Sequence, residues 1–249
     1  MTKESQTVVN GTASADDLLK AMRSDRTLGQ ANEALLSSLT LSTPGGLPRS
    51  IMICSTQPEE GKTLVATMLA LTAAMTGKQV LLVDADLRRP RIHQIFGRDN
   101  RIGFGDYLAG SKRLDETMTT LDISDGGANS AVRLNVMPSG RRGSVDFNRV
   151  SRERFGEVVN QLSSQFELVV IDCPPVLAVN DALFLASVVE GVVFVVDAGA
   201  VSQHQAKLAK TRLEKAGAKM LGFVMNRLDD GQLGVSDQAY HRYYAAPDR

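Results

Sequence analysis

The sequence predicts an α/β fold, a parallel β-sheet with helices on both faces, and three observations carry that prediction. Short unbroken apolar runs recur along the chain, helical stretches separate many of them, and the first run leads into a Gly-Lys-Thr tripeptide that opens a helix. Strands buried on both faces read as continuous apolar runs, and helices between them supply the crossovers a parallel sheet needs. With 249 residues, 43% of them hydrophobic, the chain is long enough for one such core with appendages.

The elements follow in order. Residues 1–14 are polar and without period, which predicts a disordered start. Asp16 to Met22 and Thr27 to Leu41 read as amphipathic helices, the second with Ala31, Leu35, Leu36 and Leu39 as its apolar positions. Thr43-Pro44-Gly45-Gly46 and Pro48 punctuate a linker. Ile51 to Cys54 is the first strand, Ser55 to Gly61 a loop, and Lys62 to Met75 a helix apolar nearly all round, as suits burial against a sheet. Gly77 fits its C-cap. Gln79–Val83, Leu134–Met137, Leu168–Ile171, Val192–Val196 and Met220–Met225 are further strands, and Ser151–Ser163, Asp181–Val189 and Gln203–Ala216 are helices. Asp122 to Ala131 reads as a mobile polar loop. After Arg227 the pattern stops, and the polar tail carries three of the four tyrosines, Tyr240, Tyr243 and Tyr244. The expected division is 1–45 as a flexible segment with helices, 46–228 as the α/β domain and 229–249 as a flexible tail.

Composition removes several functions. The formal net charge is zero, so no overall basic field holds a nucleic-acid backbone, although Arg88, Arg89 and Arg91 form one local patch and Arg141 with Arg142 another. Cys54 and Cys173 lie in or beside apolar runs, as reduced buried thiols of a cytoplasmic protein do. His93, His204 and His241 are scattered and show no metal-ligand spacing. No leader-like stretch opens the sequence, and no apolar run approaches the ~18 residues of a membrane span. The expectation is a cytoplasmic protein that another polypeptide holds at any membrane.

Chemistry concentrates at strand ends, where ligands bind in such folds. Thr56-Gln57-Pro58-Glu59-Glu60-Gly61-Lys62-Thr63 follows a strand and opens a helix. Backbone N–H groups, a helix N-terminus and a lysine there suit a phosphate, as in a P-loop. Glu60, Gly61, Lys62, Thr63 and Leu64 would line a nucleotide, with Lys62 on the β- and γ-phosphates and the Thr63 hydroxyl on Mg²⁺. The usual pattern has glycine at the place of Thr56. Asp84 and Asp86, two residues apart at the next strand end, would reach metal and attacking group, and Arg88 would stabilise phosphate charge. The apolar run into Asp172 reads as a Walker B strand whose aspartate organises the magnesium, followed by Pro174 and Pro175, which stop the strand. ATP and Mg²⁺ are therefore the expected cofactors.

Asp84-x-Asp86-x-Arg88-Arg89-Pro90 resembles the second Walker A motif of the bacterial tyrosine kinases, cytoplasmic partners of polysaccharide co-polymerases in the deviant Walker A, ParA/MinD-related branch of P-loop NTPases. The likeness spans roughly Ala31 to Leu228 and the tail, and includes Val136 to Gly140, Asp181 to Ala186 and Gly222 to Arg227. It implies an ATP-dependent protein-tyrosine autokinase that regulates synthesis and export of a capsule, exopolysaccharide or adhesin. Tyr240, Tyr243 and Tyr244 would be the phosphoacceptors, with Asp84 taking the tyrosine proton and Asp86 and Asp172 organising magnesium. Asn226, with Arg227 beside it, would contact adenine. The implied partners are a membrane-embedded co-polymerase subunit at the inner membrane, a tyrosine phosphatase and further copies of the chain.

Two other functions compete. A ParA/MinD-like positioning ATPase would carry a signature lysine at the place of Gln57, followed by two glycines, where this chain has Pro58 and Glu59. A nucleotide-binding scaffold of the co-polymerase is favoured by departures from the kinase pattern. The ring-forming Glu-x-x-Arg-x-x-Arg is here Glu33 with Leu36 and Leu39 in place of both arginines. Leu36 and Leu39 would then pack on this domain or on a partner helix. Glu59 stands where many relatives have glycine, and Arg141-Arg142-Gly143-Ser144 where they often have prolines.

Overall fold

The computed structural model describes residues 13–124, 131–143, 145 and 150–227. Seven strands form one sheet in the order β3-β4-β2-β5-β1-β6-β7. They are β1 (Ser50–Ser55), β2 (Val80–Asp84), β3 (Thr119–Ile123), β4 (Val132–Met137), β5 (Leu168–Asp172), β6 (Gly191–Asp197) and β7 (Met220–Asn226). Every neighbouring pair is parallel except β3 with β4, which is antiparallel.

Alternation along the strands splits the core in two. Ile51 and Ile53 of β1 face one cluster, and Met52 and Cys54 face the other. The first face is covered by α1 (Ala15–Ser24), α2 (Arg26–Leu41) and α3 (Lys62–Met75), through Leu18, Leu19, Leu39 and Leu69. Three short helices follow, α4 (Ile92–Ile95), α5 (Phe104–Leu108) and α6 (Leu114–Thr117). The second face is covered by α7 (Arg152–Gln165), α8 (Asp181–Ala186) and α9 (Gln203–Lys215), through Phe155, Leu162, Leu185 and Leu213. The α/β architecture with helices on both faces is as expected, and α3 has the expected bounds. Gly77, at φ 84°, closes its C-terminus in the left-handed region that a side chain disfavours. Cys54 and Cys173 are buried, and burial pushes both thiols above their ordinary range.

Four differences have physical causes. β3 takes in Asp122 and Ile123, which the sequence placed in a loop. It is an edge strand with one covered face, so only Leu121 and Ile123 are buried and no continuous apolar run marks it. The helices α4 to α6 run four or five residues, too short to show a period. The helix from Asp181 ends at Ala186, before Val189.

The fourth difference is at the start of the chain. Ser14 belongs to structure: its hydroxyl accepts from Asp17 N at 3.2 Å and its own N–H donates to Asp17 Oδ2 at 3.1 Å, a reciprocal cap on α1. Leu39 is 3% exposed in the domain's own core, and Leu36 packs beside it. The positions of the two family arginines therefore face inward. Tyr240, Tyr243 and Tyr244 lie outside the described residues.

Candidate nucleotide-binding site

The carboxyl ends of β1, β2, β5, β6 and β7 meet around the loop 56–61. Gly61 caps α3 at φ 92°, and a Cβ there would lie 2.1 Å from Asn226 Nδ2, so only glycine fits. Its neighbour Glu59 holds φ 71° without being glycine, and its side chain is exposed. Glu59 is thus an exposed carboxylate on the lining of the cleft, screened by solvent.

Lys62 sits inside this corner. Its Nζ lies 3.0 Å from Asp86 Oδ2 and 3.5 Å from Asp172 Oδ1. Burial alone would lower its pKa, but Asp172 and Asp86 outweigh burial and hold it above the ordinary lysine value. The Thr63 hydroxyl donates to Asp172 Oδ2 at 2.7 Å. Asp172 Oδ1 is buried without a hydrogen-bond donor, leaving only the longer ion pair. Burial raises the Asp172 pKa, against the pull of Lys62 and Thr63.

The chemistry of these atoms suits a magnesium ion. Among the described residues no three His, Cys, Asp or Glu side chains group as a metal cluster. A P-loop magnesium needs less from protein, because it keeps several waters and takes phosphate oxygens. A threonine hydroxyl beside a carboxylate with one orphaned oxygen meets that need, so Thr63 and Asp172 fit, with Asp86 next to them.

Asp84 is placed differently. It is fully buried, and its oxygens accept from Asp86 N at 3.1 Å and from Arg91 N and Ile92 N at 3.0 Å each. Burial, and then repulsion by Asp172, push its pKa up to about 8. These donors hold Asp84 behind the cleft, and Asp86 is the aspartate of the pair that lines it. Arg88 crosses to Asp181, with Nη2 3.3 Å from Oδ2.

The other side of the loop is structural. The Glu60 side chain is turned into the support of the loop, where its oxygens accept from Gln57 N and Asp197 N. Asn226 Nδ2 donates to the Glu60 carbonyl at 2.8 Å and its Oδ1 accepts from Arg227 N at 3.0 Å. An adenine contact would have to share those atoms. Arg227 Nη1 pairs with Asp197 Oδ2 at 2.7 Å. Asp197 was not singled out from sequence, yet its signal is the one that marked Asp172, an apolar run ending in aspartate.

The cleft holds about 790 Å³. Gly61, Lys62, Thr63 and Asp86 form its base, with Leu64, Asn226 and Arg227 also lining it. Pro174, Pro175, Ala178 and Val179 make an apolar wall, and Arg88, Arg89 and Arg91 a basic one.

A strand, a phosphate loop, a helix opening on lysine and threonine, and a buried aspartate on the adjacent strand define a P-loop nucleotide-binding domain. The family model for the CobQ/CobB/MinD/ParA nucleotide binding domain matches residues 51–244. The tyrosine-protein kinase YwqD of Bacillus subtilis (strain 168) is 32% identical over 200 residues, 80% of this chain and 79% of that protein. Among solved structures, the chimerical protein CapA2B2 superposes with a TM-score of 0.72 at 28% identity, over 82% of this chain and 86% of that one. The kinase domain of the Escherichia coli tyrosine kinase ETK does so with a TM-score of 0.70 at 29% identity, over 80% and 77%. Within the nucleotide-binding family, the chain belongs to the bacterial tyrosine-protein kinases.

Proposed function

We propose that the chain transfers the γ-phosphoryl group of ATP to tyrosines of its own tail, Tyr240, Tyr243 and Tyr244, and thereby regulates synthesis and export of a surface polysaccharide. The observation that carries this reading is Lys62, held between Asp86 and Asp172 at the base of a cleft with one apolar and one basic wall. Lys62 offsets charge on the β- and γ-phosphates. Asp86 orients the tyrosine hydroxyl and takes its proton. The proline wall receives the ring, and Arg88 with Arg89 faces charge on the transferring group. Thr63 and Asp172 would hold Mg²⁺, which would supply positive charge to offset that of the phosphates.

Among the described residues no helix is long and apolar enough to cross a membrane. The proposed setting is the cytoplasmic face of the inner membrane, through a membrane-embedded co-polymerase subunit, with a tyrosine phosphatase resetting the tail. Self-association would use a surface other than the one carrying Leu36 and Leu39, which are turned into the domain. That observation favours a second reading, a nucleotide-binding scaffold of the co-polymerase.

One experiment separates the two. Purified protein is incubated with ATP and Mg²⁺, and the tail is mapped by mass beside a Lys62→Met control. Phosphate on the tail tyrosines, absent from the control, is the expected outcome. Bound nucleotide with no phosphate, even with the partner's cytoplasmic segment present, would support the scaffold.

A further inference from the structure

Glu60 is an acid that the transfer reaction does not use. It is 2% exposed, and both of its oxygens are taken by backbone donors. Oε1 accepts from Gln57 N, in the first turn of the phosphate loop, and Oε2 accepts from Asp197 N at 3.1 Å, at the carboxyl end of β6. One carboxylate thus joins the two ends of the loop's support. Asp197 is itself held, Oδ1 by Gly199 N at 2.9 Å and Oδ2 by Arg227 at 2.7 Å. From the far side Asn226 grips the Glu60 carbonyl at 2.8 Å. The loop therefore hangs from β6 and β7 by contacts that run through residue 60. Burial raises the Glu60 pKa, and the backbone donors oppose that shift, as expected of a carboxylate kept for its acceptor capacity.

We infer that Glu60 is a positioning residue for phosphate binding: its carboxylate, seated on Gln57 and Asp197, holds the backbone donors of the loop open toward the cleft. The need follows from the sequence of the loop. Thr56 stands where the usual pattern has glycine, and Pro58 lacks an N–H, so few residues are free to adapt to a phosphate on arrival. Affinity then depends on arranging the loop beforehand. The inference rests on the reading of the cleft as a nucleotide site.

The test compares the full chain with Glu60→Gln, which keeps size but leaves one oxygen for two donors and sets an amide N–H against the second. Binding of Mg-ATP and of AMP, which lacks the β- and γ-phosphates, is measured by calorimetry, with thermal unfolding alongside. The expected result is Mg-ATP affinity lowered by about tenfold or more, as for loss of a charge-assisted contact, with AMP affinity changed less than about twofold. Unchanged Mg-ATP affinity in the folded variant would overturn the inference alone, as would equal losses for both nucleotides. Wild-type protein that binds neither would overturn the nucleotide reading and this inference with it. Should Glu60→Gln not fold, Glu60→Asp keeps the charge but is one methylene too short to reach both Gln57 N and Asp197 N. It is expected to give a severalfold loss for Mg-ATP alone, and no loss there would also overturn the inference.

Discussion

The two flanks of the phosphate loop are built from the same residue types and do opposite things. On the flank toward β2 and β5, Lys62 lies between two carboxylates and Asp172 keeps one oxygen without a donor. On the flank toward β6 and β7, each oxygen of Glu60 and of Asp197 has a donor. A buried carboxylate with a spare oxygen is costly unless something arrives to use it, and a saturated one is a strut. Satisfaction, rather than charge or burial, separates the flank proposed to react from the one that supports it.

The largest expected effect is at Lys62. Lys62→Met removes the cation that offsets phosphate charge and leaves Asp86 and Asp172 facing each other. Tail phosphorylation is expected to fall by at least about 10²-fold, read as phosphate incorporated per minute. Next comes the pair on β2. Asp86→Asn should cost on the order of 10²-fold in the transfer rate at saturating ATP, as for loss of a general base. Asp84→Asn should cost less than about tenfold there, and about 1–3 kcal/mol of stability, because an amide cannot accept at both ends from three backbone donors. A reversed ranking in rate would show that Asp84, despite its donors, is the reacting group.

Leu39→Arg tests the supporting side of the molecule as a whole. With Leu39 3% exposed, an arginine there is expected to lower stability by about 2–4 kcal/mol in urea unfolding. A stable variant that gains self-association would show that α2 can turn outward.

Much of this contrast was legible in the sequence. Continuous apolar runs located six of the strands, and an aspartate closing such a run marked Asp84 and Asp172. The same signal closes β6 at Asp197 and passed unread, because no motif of the resemblance covers it. What spacing alone does not contain is which of Asp84 and Asp86 faces the cleft. That is decided when the chain turns after β2 and brings the N–H groups of Arg91 and Ile92 back onto Asp84. The edge strand β3 stayed hidden for a related reason, since its pairing with β4 depends on a distant partner and buries one face only.

A smaller effect lies in pH. Burial raises the Glu60 pKa above its ordinary value of 4.5, so the folded state favours the protonated acid more than the unfolded chain does. The stability from this group is present below that ordinary value and is lost as pH rises through the folded one. Glu60→Gln should therefore show a shallower fall of the unfolding midpoint with rising pH above about 4.5. An identical slope in both proteins would mean that the ionised carboxylate is fully compensated by its donors.

The smallest effect is at Glu59, between the two flanks. It holds φ 71° without being glycine, and its side chain is exposed. Glycine relieves the left-handed strain of about 1 kcal/mol but adds freedom to the unfolded chain, so Glu59→Gly should shift stability by less than about 1 kcal/mol. Its charge is exposed at the edge of the cleft and screened by solvent, so Mg-ATP affinity should rise by no more than about threefold, and less as salt increases. A rise of about tenfold or more that survives high salt would place the Glu59 carboxylate against the phosphates, and the loop would then have a reacting group at its crown as well as along one flank.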